Sequence, residues 1–228
     1  MTGARIPKLE PSALDDDQRS LYDAIAGGRR AQGPQLFRLA DSQGRLEGPF
    51  NAFLLQPRLG SALQALGSSV RYDTALDDRC REIAILVVAA HWRSDFEWYA
   101  HEAVARSAGL GDPELAAVRN AGLGDIDPEP AAVRDAGLGA PELAAVRDGR
   151  HSALAGREAV VARPVAALAA RGDLDDAEYR AAVSQVGPAG VFELLTLVGY
   201  YATLALQLRV FRVPAPDDTA RPAWERPA

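Results

Sequence analysis

The longest apolar stretch of the chain runs from Val191 to Leu208 and nears the length of a membrane span. Glu193 interrupts it, and Gly199, Tyr200, Tyr201 and Thr203 soften it, so it reads as a buried core helix rather than a spanning one. Helix signals dominate elsewhere, because alanine and leucine are abundant and β-branched runs bounded by turn residues are scarce. Ser12 as N-cap and Asp15–Asp17 in the first turn predict a helix over residues 12–26, stopped by Gly27 and Gly28. Residues 33–50 read as a loop. Further helices are expected from Pro57 to Val70, from Asp77 through CREIAILVVAAH, from Ser94 to Gly109, and over 157–171, 175–186 and 188–210. The Pro-rich, charged stretch from Pro214 reads as a mobile tail, leaving 1–213 as one domain.

The 228 residues carry 25 Lys+Arg against 31 Asp+Glu, a net charge of −6, which leaves no excess cation for nucleic acid or an anionic membrane. The 48% hydrophobic content excludes wholesale disorder. A single cysteine, Cys80, excludes an internal disulfide, a CxxC redox pair and a cysteine-based zinc site. Three histidines (His91, His101, His151) leave little room for a multi-histidine metal centre, and no metal is expected. The opening MTGARIPKLE lacks the apolar core of a signal peptide, so the cytoplasm is the expected compartment.

Residues 108–150 hold a repeat: AGLGDPELAAVRN, AGLGDIDPEPAAVRD and AGLGAPELAAVRD. Units of this size are shorter than the ~20–50 residues a solenoid needs, so the segment reads as a tandem duplication tolerated in a surface helix–turn segment.

Glu82 stands inside an apolar helix, projecting among Ile85, Leu86 and Ala89. A carboxylate there must be paired, hydrogen-bonded or protonated, and a structural or a functional role would satisfy that equally. In SDFEWYAHEAVARSAG, Ser94 and Glu97 fit a capping box. Glu97 and His101 also stand at i and i+4, away from the solvent face marked by Asp95, Glu102 and Arg106 and beside Val104, Ala105 and Ala108. A Glu–His pair on a partly apolar face is a plausible proton-transfer unit, in which the carboxylate would favour imidazolium.

RLEGPFNAFLLQPRLG, then LGSSVRYDTALDDRCREIAILVVAAHWRSDFEWYAHEAVARSAGL, then GPAGVFELLTLVGYYATLALQLRV closely resemble the carboxymuconolactone decarboxylase family over about residues 5–212, apart from the extra repeat copies. The resemblance implies an all-α, alkylhydroperoxidase-D-like helical bundle assembled as a homotrimer or homohexamer. The redox branch of that fold carries a Cys-x-x-Cys pair. Its two positions correspond here to Ser94 and Glu97, with Glu82 and His101 as the accompanying glutamate and histidine. Without thiols, peroxide reduction has no nucleophile. The decarboxylase branch fits better, and implies loss of CO₂ from a small carboxylated lactone without a cofactor.

On that reading His101 is the general acid, Glu97 orients it, and Glu82 relays a proton or hydrogen-bonds the lactone. Arg71 is the candidate carboxylate clamp, unless it pairs with Asp73 or Asp77. Tyr72 and Trp98 would wall the pocket or simply fill core. His91 would cap its helix near the same turn, and Tyr200 would reach in from the last helix or pack in the core. The resemblance places Phe50 and Asn51 near the pocket, while His151 reads as a solvent-exposed loop residue. Two other expectations stand beside the lyase: a cofactor-free isomerase, dehydratase or cyclase, and a non-catalytic oligomeric binding protein.

Overall fold

The computed structural model describes residues 3–32, 34–123, 154 and 157–216. All but the first three residues of the second repeat copy, the third copy, His151 and the end of the tail lie outside them. The architecture is all-helical. Among the described residues, β pairing is confined to one isolated antiparallel bridge between Ala40 and Leu46.

The elements are α1 (Asp16–Ala26), α2 (Pro49–Phe53), α3 (Pro57–Tyr72), α4 (Asp78–Trp92), α5 (Asp95–Ser107), α6 (Asp112–Leu123), α7 (Arg157–Arg171) and α8 (Asp176–Phe211). Two 3-10 turns, Pro11–Ala13 and Arg29–Ala31, flank α1. Ser12 falls in the first of these and does not cap α1. Asp15 does, in a reciprocal capping box with Gln18, because two acidic residues follow it into the helix's positive end. The expected loop over 33–50 is irregular only as far as Gly48. Gly48 takes φ 58, Pro49 supplies a ready-made first helical residue, and α2 begins. A Cβ at Gly48 would overlap the Phe96 ring, so only glycine lets α2 and α5 meet there.

α4 is the centre of the molecule, packed against α5, α6, α7 and α8. Asp77 caps it by accepting from the Cys80 amide at 2.8 Å. Every residue from Glu82 to Ala90 is buried, and each large aliphatic there contributes about 1.5–3 kcal/mol by leaving water. Gly122 lets α6 press on α4: a Cβ would overlap the Val87 carbonyl oxygen and lie 2.6 Å from Ala90 Cβ. The first repeat copy builds most of α6, with Leu115 and Val118 buried, and is core rather than a tolerated surface segment. Arg79 ties three helices together, its guanidinium donating to Glu114 on α6 and Glu158 on α7, both at 2.6 Å.

α8 is helical on both sides of Gly187, which at φ 69 breaks it just before Pro188. This is the division the sequence predicts. It is the one helix among the described residues long and apolar enough to cross a bilayer, and half of its most apolar window is buried inside the protein. The expected buried core helix is buried on one side only, since Phe192 is 70% exposed and Leu195, Leu206 and Val210 share its open side. Glu193, the charge that interrupts the run, anchors the α3–α4 loop by accepting from the Thr74 hydroxyl at 2.6 Å and the Ala75 amide at 3.1 Å.

Candidate functional site

One open pocket of about 360 Å³ lies where α5 and α8 meet α2, the end of α3 and the turn after α1. α5 contributes Phe96, Glu97, Ala100 and His101; α8 contributes Tyr200, Tyr201 and Leu204; α2 contributes Pro49 and Phe50. Phe37, Arg30 and Arg71 complete the lining from the loops and the end of α3.

His101 does not pair with Glu97, its neighbour one turn away. Its Nδ1 stands 2.7 Å from Oε2 of Glu82 on α4, and Glu82 is wholly buried behind it. The helix–helix contact thus replaces the expected contact along one helix. Burial pushes the Glu82 carboxyl up, but the facing His101, by charge and hydrogen bond, and the Arg71 and Arg81 charges outweigh it, so the group titrates below its ordinary value. Arg81 Nε is 3.5 Å from the other carboxylate oxygen. Burial lowers the His101 imidazole; Glu82 opposes this, Arg71 and Arg30 reinforce it, and the net direction is down. The pair therefore rests as carboxylate and neutral imidazole at neutral pH. An ionised carboxylate only accepts, so Nδ1–H donates to Glu82 and the Nε2 lone pair is left available. Tyr201 stacks edge-on to the ring, centroids 5.2 Å apart.

Glu97 is in the opposite condition. It is 2% exposed, and neither carboxyl oxygen has a hydrogen-bond partner among the described residues. Burial pushes it up to about 8, only slightly moderated by the nearby Ser94 hydroxyl, so at neutral pH it is mostly the protonated acid. The expected capping box is absent. Ser94 is the N-cap residue but its hydroxyl makes no cap bond, and the Glu97 side chain lines the pocket instead of reaching back to the helix start.

Of the residues singled out from the sequence, Phe50, Glu97, His101, Arg71 and Tyr200 share this pocket, with Glu82 immediately behind. Arg71 does not pair with Asp73, which is taken by Arg29 at 2.9 Å, nor with Asp77, which caps α4. Four others lie off the lining. Asn51 clamps the N-terminal segment, accepting from the Leu9 amide at 2.9 Å and donating to the Pro7 carbonyl at 3.0 Å. Tyr72 is half-buried and carries the Arg29 guanidinium 4.4 Å from its ring centre. Trp98 is core, its Nε1 donating to Glu102 at 2.6 Å. His91 ends α4, edge-on to Trp92.

Arg30 and Tyr201 are the polar lining residues that sequence reasoning misses, beside the apolar Phe37, Pro49, Phe96, Ala100 and Leu204. Tyr201 is signalled only by its adjacency to Tyr200. Nothing local separates Arg30 from Arg29, one of which points in and the other out. Both tyrosines are held as phenols, Tyr200 pushed up to about 12 by burial and Tyr201 raised further by the same cause. Among the described residues no three metal-ligating side chains converge.

The arrangement offers a proton acceptor at His101 Nε2, a proton donor at Glu97 and a guanidinium at Arg71 around one small space. Comparison with curated proteins and with solved structures finds no match. Residues 57–124, which span α3 to α6 and carry Arg71, Glu82, Glu97 and His101, match the model of the carboxymuconolactone decarboxylase family, the family this sequence resembles.

Proposed function

We propose that this protein is a cofactor-independent lyase that, like 4-carboxymuconolactone decarboxylase, removes CO₂ from a small carboxylated lactone or related acid. The observation that carries the reading is the pairing of a neutral, Glu82-oriented imidazole with an un-ionised Glu97 in one pocket. In the reaction the bond from carbon to the leaving carboxylate breaks, and its electrons pass into the conjugated lactone carbonyl. Arg71 holds the acid bidentately. Glu97 returns one proton to carbon, and His101 Nε2 takes up a proton from solvent, becomes an imidazolium stabilised by Glu82, and passes that proton on to restore Glu97. The general acid is thus reassigned from His101 to Glu97, because burial and two arginines hold the imidazole neutral.

Purified protein incubated with 4-carboxymuconolactone should release CO₂ above the buffer rate, and His101→Ala should lower kcat by about 10²–10⁴-fold. No release from the wild-type protein removes the decarboxylase reading.

A second reading is supported by the presence of both a donor and an acceptor, which is more than decarboxylation alone requires. An isomerase, dehydratase or cyclase uses both in each turnover. Exchange of substrate carbon-bound hydrogen with deuterated water, without CO₂, would favour it. A homotrimer or homohexamer belongs to the same proposal, supported by the exposed Phe192–Leu195–Leu206–Val210 side of α8. Phe192→Asp should then lower the sedimentation coefficient.

A further inference from the structure

Arg81 stands next to Glu82 on α4 but outside the pocket lining, and the chemistry above gives it no part. Consecutive residues of a helix point about 100° apart, so spacing alone does not bring this arginine onto the glutamate. Asp78, one turn earlier, leads it there by accepting from Arg81 Nη2 at 2.8 Å. The Asp78 side chain is 77% exposed and that of Arg81 11%, so the arginine runs from the surface inward. Its Nε ends 3.5 Å from Glu82 Oε1. Both atoms are screened from solvent, and neither has a hydrogen-bond partner among the described residues. The other carboxylate oxygen, Oε2, faces His101 Nδ1 at 2.7 Å.

A wholly buried carboxylate needs a cation while the imidazole in front of it is neutral. Arg71 also acts on Glu82 by charge, but Arg71 lines the pocket and, on the proposed reaction, is taken up by the substrate acid. Arg81 lies outside the lining and stays on Glu82 throughout. A single hydrogen bond also leaves a carboxylate free to turn about its broad terminal torsion. A cation on the second oxygen fixes which oxygen meets the ring. The other groups around the pair do not supply this. Arg30, from the turn after α1, acts on His101, and Tyr200 and Tyr201 from α8 are held as phenols. Glu97 is un-ionised, and Glu114 and Glu158, from α6 and α7, accept from Arg79.

We infer that Arg81 is a positioning residue for the base of the pocket: from behind, it holds Glu82 Oε1, so that Oε2 remains an anion aimed at the His101 Nδ1–H and the imidazole offers Nε2. The inference rests on the reading of Glu82 and His101 as the working pair of this pocket. It adds what keeps the pair charged and oriented while Arg71 is occupied.

The test is titration of the histidines by nitrogen-15 NMR without substrate, with His101 assigned from the spectrum of His101→Gln. In the wild-type protein His101 should be a single tautomer, protonated at Nδ1, and the Arg81 Nε–H resonance should move with the His101 titration. Arg81→Gln should raise the His101 midpoint by about 0.5 pH unit or more, because a nearby cation disfavours imidazolium, and should let the second tautomer appear. Arg81→Lys keeps the charge and should reverse about half of that shift or more. Asp78→Asn removes an exposed charge, leaves the guanidinium in place, and should move the midpoint by less than about 0.2 pH unit. A merely structural arginine would lower the melting temperature without moving either signal. An unchanged midpoint and tautomer in folded Arg81→Gln, or an equal shift in Asp78→Asn, overturns the inference. If Arg81→Gln does not fold, the wild-type Arg81 resonance decides, and one that ignores the His101 titration overturns it. A protein that passes these tests but releases no CO₂ keeps the positioning residue and loses only the decarboxylase.

Discussion

Glu82 enters from α4 and Glu97 from α5, and both are buried beside the same pocket with almost no exposure. Their surroundings differ in one respect. Glu82 meets an imidazole at 2.7 Å and a guanidinium at 3.5 Å, whereas Glu97 meets no cation and no hydrogen-bond donor of good geometry. Desolvation raises both; the paired group is pulled back below its ordinary value, and the unpaired one stays high. Burial alone therefore does not decide what a carboxyl group can do. The partner decides, and here it makes one group an orienting anion and the other a proton donor.

The sharpest way to separate them is the pH dependence of stability. The folded-state value of Glu97 is raised from 4.5 to about 8. Between those limits the unfolded chain has released a proton that the folded chain keeps, so stability is full below pH 4.5 and declines as pH rises toward 8. At about 1.4 kcal/mol per pH unit the ceiling of that decline is about 5 kcal/mol. Glu97→Gln keeps the shape of the neutral acid and should abolish the slope, matching wild type near pH 5 and exceeding it near pH 8.5 in urea unfolding. Glu82 and His101 act in the other direction. Both are lowered on folding, so their contribution is lost as pH falls, first through the imidazole and then through the carboxyl. A wild-type profile with no alkaline decline would break the comparison.

Breaking the paired carboxylate should be the next largest effect. Glu82→Ala leaves the His101 Nδ1–H and Arg81 Nε without their anion, and a loss of about 3–5 kcal/mol is expected near pH 7. Glu97→Ala should destabilise less, because no ion pair is broken. The order of the two, read from melting curves at one pH, is the measurement.

The positions of most helices are legible because their signals are local. Asp77 caps α4, and Gly187–Pro188 breaks α8 where the sequence puts the break. Polar residues on apolar faces were enough to single out Glu82, Glu97 and His101. Their pairing was not legible, since i,i+4 spacing favours Glu97–His101 while the packing of α4 on α5 joins residues 19 apart. Arg30 and Tyr201 come from opposite ends of the chain, and only the tertiary fold brings them together. The first repeat copy misled for a similar reason. Its composition matches its neighbours, but Leu115 and Val118 are buried against the rest of the protein.

Gly67→Ala tests the pocket wall with a moderate effect. An alanine inside a helix is favoured over glycine by about 1 kcal/mol. Here its Cβ would meet the Tyr200 hydroxyl and Arg30, and overpacking of that kind costs about 1–3 kcal/mol. A net loss of up to about 2 kcal/mol is expected in thermal unfolding. A gain in melting temperature would mean that the two side chains move aside freely and that the space over Gly67 does not hold them.

The smallest effect distinguishes a cap in position from a cap in function. Ser94 occupies the N-cap of α5 but its hydroxyl makes no cap bond, whereas Asp77 accepts from the Cys80 amide at 2.8 Å. Removing a working cap costs about 1 kcal/mol, so Asp77→Ala should lose that much and Ser94→Ala less than about 0.5 kcal/mol. The Ser94 hydroxyl nonetheless tempers the rise of Glu97. Ser94→Ala should therefore shift the upper end of the Glu97-dependent stability decline to higher pH while hardly changing stability near pH 5. If Ser94→Ala instead costs as much as Asp77→Ala with no change in the pH profile, the hydroxyl is a helix cap after all, and Glu97 owes its state to burial alone.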